Sequence, residues 1–392
     1  MTQTSSNGLG PVLCTKPRRE RVRSRATLIV AMTVLGVSCN PLLDGRDRNR
    51  PLWRIEFTAP PRSTDGTPAT DGQRVYVYVD GITAFDAETG TRVWTNPTPG
   101  VRSRPKNLLV RNGRVFGAGG AAVALDSESG RELWKFPLSS SGHASAGLGR
   151  AAVDDATFYV GTDAHQVFAL DQVTGSLRWM VDIGPDWEHR GIVTGVTVSG
   201  DTVFVSARQY NAENGYISTG WIIGLDRATG KRVWSFRNGD GTDWRTVAAG
   251  VSVAGSLLLA SDHLSGAVFA VDRTTGIEVW RRIGPADRFG SLASPVPVGN
   301  TAYHASMDAY VYALDVATGA LRWKTENSGG HLSFVLCGKL LFANFMSLAI
   351  LDRTSGRVQS RIGVPEIFSD FAVEGNRAFA VSDRAVYAYR CD

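Results

Sequence analysis

Seven times this chain prints one frame, Ala-x-Asp-x-x-x-Gly-x-x-x-Trp, and that repetition restricts its fold more than any other property. The frame is complete at Ala84/Asp86/Gly90/Trp94, Ala124/Asp126/Gly130/Trp134, Ala169/Asp171/Gly175/Trp179, Ala270/Asp272/Gly276/Trp280 and Ala313/Asp315/Gly319/Trp323. Gly224/Asp226/Gly230/Trp234 lacks the Ala, and Ile350/Asp352/Gly356/Ser360 lacks both Ala and Trp. A short apolar strand enters each frame and a Trp-bearing strand leaves it, so each is a hairpin corner. The Asp carboxylate accepts turn N–H groups and the Gly supplies positive φ. A Trp on the same face of every unit is packing between neighbouring units, not a cofactor stack.

Spacing sets the architecture. Successive repeat Asp residues lie 40, 45, 55, 46, 43 and 37 residues apart, the period of a four-stranded propeller blade. An eighth unit is divided between the ends. Residues 377–390 reproduce the paired strands before a corner, with Arg390 where an Asp belongs, and stop short of a Trp strand. Leu52-Trp53-Arg54-Ile55-Glu56-Phe57 is a Trp strand without a corner. Joining them gives an all-β, eight-bladed β-propeller of four-stranded antiparallel blades, closed by N- and C-terminal strands sharing one blade, with no free sheet edges between units. No amphipathic helix is evident.

Ahead of the repeats, a polar, basic stretch precedes a 12-residue apolar run, Ala26 to Val37. It is short of the roughly 20 residues a bilayer requires, and it reads as an export signal. Leu35-Gly36-Val37-Ser38-Cys39 resembles the lipobox of bacterial lipoproteins. The expected organisation is therefore a signal peptide over 1–38, a lipidated Cys39 with a tether to 51, and the propeller over 52–392. Signal removal takes six basic residues and one acidic, leaving 36 of each from totals of 42 and 37. The basic balance belongs to the signal and gives no support to nucleic-acid binding.

Of four cysteines, Cys14 leaves with the signal and Cys39 is the lipid site, so Cys337 and Cys391 remain. Both fall on the same end of the propeller in adjacent blades. A disulfide stapling the closure is one reading open to them and two free thiols the other, and pairing requires their Cα atoms to come within about 7 Å. The six His show no ligand spacing, so no metal site is expected. Gly142 to Gly147 is one residue too long for a nucleophile elbow, and Gly147-Leu148-Gly149 lacks the helix of a phosphate loop.

Six strong copies of the corner and the ring closure resemble the pyrroloquinoline-quinone-like β-propellers over residues 52–392. With the lipobox and tether, the chain resembles the propeller lipoprotein of the bacterial outer-membrane β-barrel assembly machine. That resemblance implies a non-catalytic scaffold without cofactor, anchored by lipid to the outer membrane on its periplasmic face, whose protein partner is the large barrel-assembly subunit. The family docks that subunit through an Arg-Gly pair in the loop after its third corner, and Arg190-Gly191 is similar in position. Trp187, Glu188 and His189 replace the aliphatic residues before it, and Arg245 and Val247 stand near the place of an acidic pair in the next loop.

Two matching loops, 183–193 and 238–247, put Trp187, His189, Arg190, Gly191, Trp244 and Arg245 on one end of the ring, an aromatic and Arg composition that suits protein binding. An insertion over 209–220 lengthens the same rim. The alternative readings are a quinone-dependent dehydrogenase-like propeller, which the resemblance ties to a vicinal Cys pair that this chain lacks, or a small-anion-binding periplasmic propeller. The latter's funnel would be lined by Arg102, Arg104, His143, Arg190, Arg245, Arg288 and His331.

Overall fold

The computed structural model describes residues 50–57, 67–79, 81–97, 107–138, 149–184, 191–210, 217–239, 246–247, 250–262, 265–283, 294–306, 308, 310–326, 333–344, 347–363 and 368–391. They form strands and turns, with no helix among them. Every strand belongs to one of eight four-stranded antiparallel sheets. Sheets 1 to 7 cover, in order, residues 69–96, 109–137, 152–182, 191–238, 252–282, 296–326 and 333–363.

The expectation of eight blades is corrected to this extent: blades continuous in sequence number seven. The eighth sheet is a composite of Phe368–Glu374, Arg377–Ser382 and Ala385–Arg390 with Trp53–Glu56 from the other end of the chain, in the register Trp53↔Ala388 to Glu56↔Ala385. The physical reason is that the sequence supplies only seven Asp corners and begins its repeats with a lone outer strand. That strand satisfies its backbone groups on the edge of the last sheet.

Sheet 3 shows how sequence becomes blade. Its strands Ala152–Val153, Thr157–Gly161, Gln166–Asp171 and Leu177–Asp182 pair in chain order. The second strand is buried throughout, because neighbouring sheets cover both its faces, which explains its unbroken apolar run. The outer strand alternates, with Trp179 buried and Arg178 and Met180 exposed.

Each corner is built alike. Asp Oδ1 accepts the backbone N–H three residues on at 2.8–3.0 Å and the hydroxyl of that same Thr or Ser at 2.6–3.0 Å, from Thr89, Ser129, Thr174, Thr229, Thr275, Thr318 and Ser355. The corner glycines Gly90, Gly130, Gly175, Gly230, Gly276, Gly319 and Gly356 close these turns with φ between 68° and 73°. Positive φ is not their whole role, because their lack of a Cβ has a second use. A Cβ there would lie 2.4–2.8 Å from the indole of the preceding sheet's Trp. Gly90 sits so against Trp53, Gly130 against Trp94, Gly175 against Trp134, Gly230 against Trp179 and Gly276 against Trp234. Gly319 and Gly356 meet Trp280 and Trp323 in the same way.

The same indoles donate Nε1–H at 2.9–3.2 Å to the carbonyl of the residue just after the corner Asp in the next sheet. The pairs are Trp53 to Ala87, Trp94 to Ser127, Trp134 to Gln172, Trp179 to Arg227, Trp234 to Arg273, Trp280 to Val316 and Trp323 to Arg353. Each Trp thus clasps its own sheet to the following one. The small residue of the frame lies opposite the Trp in register, as Ala84↔Trp94 and Gly224↔Trp234. Where the Trp is lost the sizes reverse, and Ile350 faces Ser360.

One seam lacks a Trp clasp, that between sheet 7, which ends in the strand containing Ser360, and sheet 8. Cys391 there occupies the place just after the corner position, its N–H bonded to the Asn376 carbonyl at 2.9 Å as Ala87 is to Gln73. It is joined by a disulfide to Cys337 of sheet 7, with Cα atoms 5.3 Å apart. Seven tryptophans and one disulfide therefore span the eight seams.

Hydrogen bonding holds all seven corner carboxyls below the usual carboxylate range. The first cause is a backbone N–H at Asp86 and Asp272, from Thr89 and Thr275. It is a hydroxyl at Asp126, Asp226 and Asp352, from Ser129, Thr229 and Ser355. At Asp171 and Asp315 it is a guanidinium, from Arg178 and Arg322. Because the native values are depressed, the stabilisation is complete above the unfolded carboxylate value of about 3.9 and is lost as pH falls through the native values. Thermal melts at neutral pH and at about pH 2.5 should show Asp171→Asn less stable than the parent at neutrality, with the gap closing in acid. A gap of equal size at both pH values would contradict this account of the corners.

Candidate functional site

The two ends of the ring differ in kind. Corners lie at one end, beside the turns between first and second strands, as Thr157 opposite Asp171 shows. The other end carries the chain into each first strand and the turns between second and third strands, since Gly191 pairs with Gln209 and Tyr210 with Ile217. The corner end is uniform. The loop end varies from sheet to sheet, and its candidate site is built at sheets 4 and 5.

Sheet 4 has the longest strands, Gly191–Ser199, Thr202–Tyr210 and Ile217–Asp226. Of the insertion expected over 209–220, residues 209–210 and 217–220 continue the ladder, which stays paired as far as Tyr210↔Ile217, and residues 211–216 lie outside the described residues. This arm accounts for the 55-residue interval between Asp171 and Asp226. Near its end Trp221 Nε1 donates to Gln209 Oε1 at 3.2 Å, and the Arg237 guanidinium lies 5.7 Å from the Trp221 ring centroid. Burial pushes the neighbouring Arg208 guanidinium below its ordinary value. This cluster was not singled out in the sequence, because Trp221 stands outside the repeated frame; a Trp next to an insertion was the available signal.

The two candidate loops spring from adjacent roots. Ahead of the first loop, Gly184 N–H donates to Asp182 Oδ1 at 2.9 Å, and His165 Nδ1 lies 2.9 Å from the same oxygen. Beyond it, Val193 N–H donates to the Thr162 carbonyl at 3.0 Å. The second loop is pinned by fully buried Asp262, whose Oδ1 accepts the Thr246 N–H at 3.1 Å. Asn238 Nδ2 bridges the Thr246 carbonyl at 2.8 Å and Asp262 Oδ2 at 3.2 Å, while Arg281 Nη2 donates to Asn238 Oδ1 at 2.9 Å. Thr194 Oγ1 lies 3.3 Å from the Val247 carbonyl, which brings the two roots together. The packing leaves no space for a side chain at Gly220, where a Cβ would lie 2.5 Å from the Thr246–Val247 backbone.

Of the residues expected to bind a partner, Gly191 opens a first strand and is buried. Trp187, His189, Arg190, Trp244 and Arg245 lie outside the described residues, as does the lipidation candidate Cys39. So do Arg102, Arg104, His143, Arg288 and His331 of the expected funnel. Among the described residues no group of three or more His, Cys, Asp and Glu is placed to hold a metal ion. The two cysteines of the ring, Cys337 and Cys391, are joined to each other at the corner end.

The family model described as "Outer membrane protein assembly factor BamB" matches residues 43–147 and 118–361. The chain is similar to the protein of that name from Yersinia pestis, at 25% identity over 253 residues, 61% of this chain and 60% of that one. It is also similar to quinohemoprotein alcohol dehydrogenase ADH-IIG of Pseudomonas putida, at 27% identity over 52% of this chain but only 30% of the enzyme. It thus spans about 60% of the first relative and under a third of the second. Among solved structures, BamB from Moraxella catarrhalis superposes with a TM-score of 0.67 at 19% identity, covering 87% of this chain and 97% of that one, a likeness of fold. With the family model matched over most of its length, this chain belongs to the family of the outer membrane protein assembly factor BamB.

Proposed function

We propose that the chain is a non-catalytic, lipid-anchored scaffold in outer-membrane β-barrel assembly. It docks a protein partner through the loop end of sheets 4 and 5. The observation that carries this reading is the family match over residues 43–361. Its support in the ring is the convergence of the two loop roots beside the Trp221 and Arg237 pair, a composition typical of binding hot spots. The partner proposed is the large barrel-assembly subunit. Cys39 carries the lipid, which puts the ring on the periplasmic face of the outer membrane. Trp187, His189, Arg190, Gly191, Trp244 and Arg245 form the proposed contact.

Affinity purification of the tagged protein from its native envelope in mild detergent tests this reading. The large barrel-assembly subunit should co-purify, and Arg190→Glu should reduce its recovery by about tenfold or more while the melting temperature stays unchanged. Recovery of no barrel-assembly component by the parent protein would sink the proposal.

A further inference from the structure

The seam between sheets 5 and 6 differs from the others in a way that neither the repeat nor partner docking explains. His304, in the second strand of sheet 6, is 2% exposed, and both its ring nitrogens lack a hydrogen-bond partner. Its register position is the third after the residue paired with the corner Asp, and in five other sheets that position holds Val77, Gly117, Val160, Val205 or Ala260. A buried polar group without a partner costs stability, so its presence at an otherwise apolar position requires a reason.

That reason lies beside it. A cavity of about 260 Å³ opens between the two sheets, walled by Val268 and Arg282 from sheet 5 and by His304, Ser306, Tyr312 and Lys324 from sheet 6. Ile283 and Leu321, which also line it, are 63% and 40% exposed. Two other seams fill the corresponding space with paired phenylalanines. Phe136 meets Phe168 with centroids 5.9 Å apart between sheets 2 and 3, and Phe236 meets Phe269 at 5.6 Å between sheets 4 and 5. In the frame, Arg282 holds the place of Phe136 and Phe236, two residues after the Trp. Tyr312 holds that of Phe168 and Phe269, one before the small residue.

Two of the cavity's polar groups, Arg282 and Lys324, are cations. Lys324 Nζ lies 4.7 Å from the Tyr310 ring centroid, and Arg282 Nη1 reaches the Gly319 carbonyl at 3.5 Å. Neither cation has a carboxylate partner among the described residues. The nearby carboxylate of Asp308 is engaged by the Tyr312 hydroxyl. Burial pushes the His304 pKa down to about 4, so near neutral pH its ring offers one N–H and one acceptor nitrogen. Two cations, a neutral imidazole and apolar walls together match an acid with a hydrocarbon body.

We propose that the cavity between sheets 5 and 6 binds a small organic carboxylate, with its charged group toward Arg282 and Lys324, a hydrogen bond to His304, and its apolar body on Val268. This site lies in a seam, apart from the proposed docking end, and its failure would leave the docking proposal intact.

Titration calorimetry of the purified mature chain with benzoate and hexanoate tests it, with benzyl alcohol as the uncharged control. One equivalent of at least one acid should bind saturably, and benzyl alcohol about tenfold or more weaker. Arg282→Phe, which copies the filled seams, and His304→Val, which copies Val77 and Val160, should each weaken the acid about tenfold or more. Melting curves check folding, and the exposed Lys324→Met, with the same expected loss, replaces any variant that fails to fold. No saturable binding of either acid up to about 10 mM, or binding unchanged by the substitutions, overturns the proposal.

Discussion

Trp134→Ala should lower the unfolding free energy of the ring by about 3 to 5 kcal/mol, measured by urea denaturation with two spectroscopic probes. The indole is 8% exposed and stands over Gly175, where it leaves no room for a Cβ. It lies 6.3 Å from Phe158 and 6.1 Å from Phe116, centroid to centroid, and donates to the Gln172 carbonyl at 3.0 Å. Truncation opens a cavity across a seam and leaves that buried carbonyl without its donor, two costs that add. The seam depends on both sheets, so neighbouring sheets lose support as well. A loss under about 1 kcal/mol would mean that the clasp is incidental to stability.

Cys391→Ser should act on a similar scale by another route. The disulfide joins residues 54 apart, and in the chain-entropy description closing a loop of that length contributes about 4 kcal/mol. Its location adds to the case, because it spans the seam that has Ser360 in place of a Trp and no corner Asp or Gly beyond it. Denaturation of the parent with and without reductant, beside Cys391→Ser without reductant, measures the effect. The reduced parent and the variant should unfold alike and well before the oxidised parent. Equal stability of all three would show that the closing seam holds without the bond.

The sequence carried the corner almost completely. Asp, Gly and Trp each do what their types and spacing suggest, and the Trp strand at residues 53–56 could be matched to its missing sheet from the interrupted repeat alone. What spacing could not show is that Gly90, Gly230 and Gly276 each lie under an indole from the sheet before, a contact some 35 to 50 residues distant in the chain and visible only once the sheets are stacked. The Thr or Ser three residues after every Asp was equally visible, yet its hydroxyl bond to the carboxylate emerges only with the turn geometry. The reason for the small residue of the frame lies in register, since Ala84 and Trp94 are ten positions apart in sequence but opposite each other in the sheet.

The candidate site was less legible, for physical reasons. Loops at the variable end have no periodicity to constrain them, and their roots are held by side chains such as Asn238 and Asp262 that look like ordinary polar turn residues. Trp221 belongs to a hairpin arm whose continued pairing could not be told from a loop. His304 reads as one more strand residue until the sheets are aligned and its counterparts prove apolar.

The central claim is that the protein works by docking a partner at the loop end of sheets 4 and 5. Photo-crosslinking in the native envelope tests it most directly, with a benzophenone amino acid placed at exposed Arg237 near the loop end and, separately, at exposed Thr229 on the corner end. The account predicts a crosslink to a barrel-assembly subunit from position 237 and none from position 229. Crosslinking from 229 alone, or no crosslink to any assembly component from 237, would contradict it.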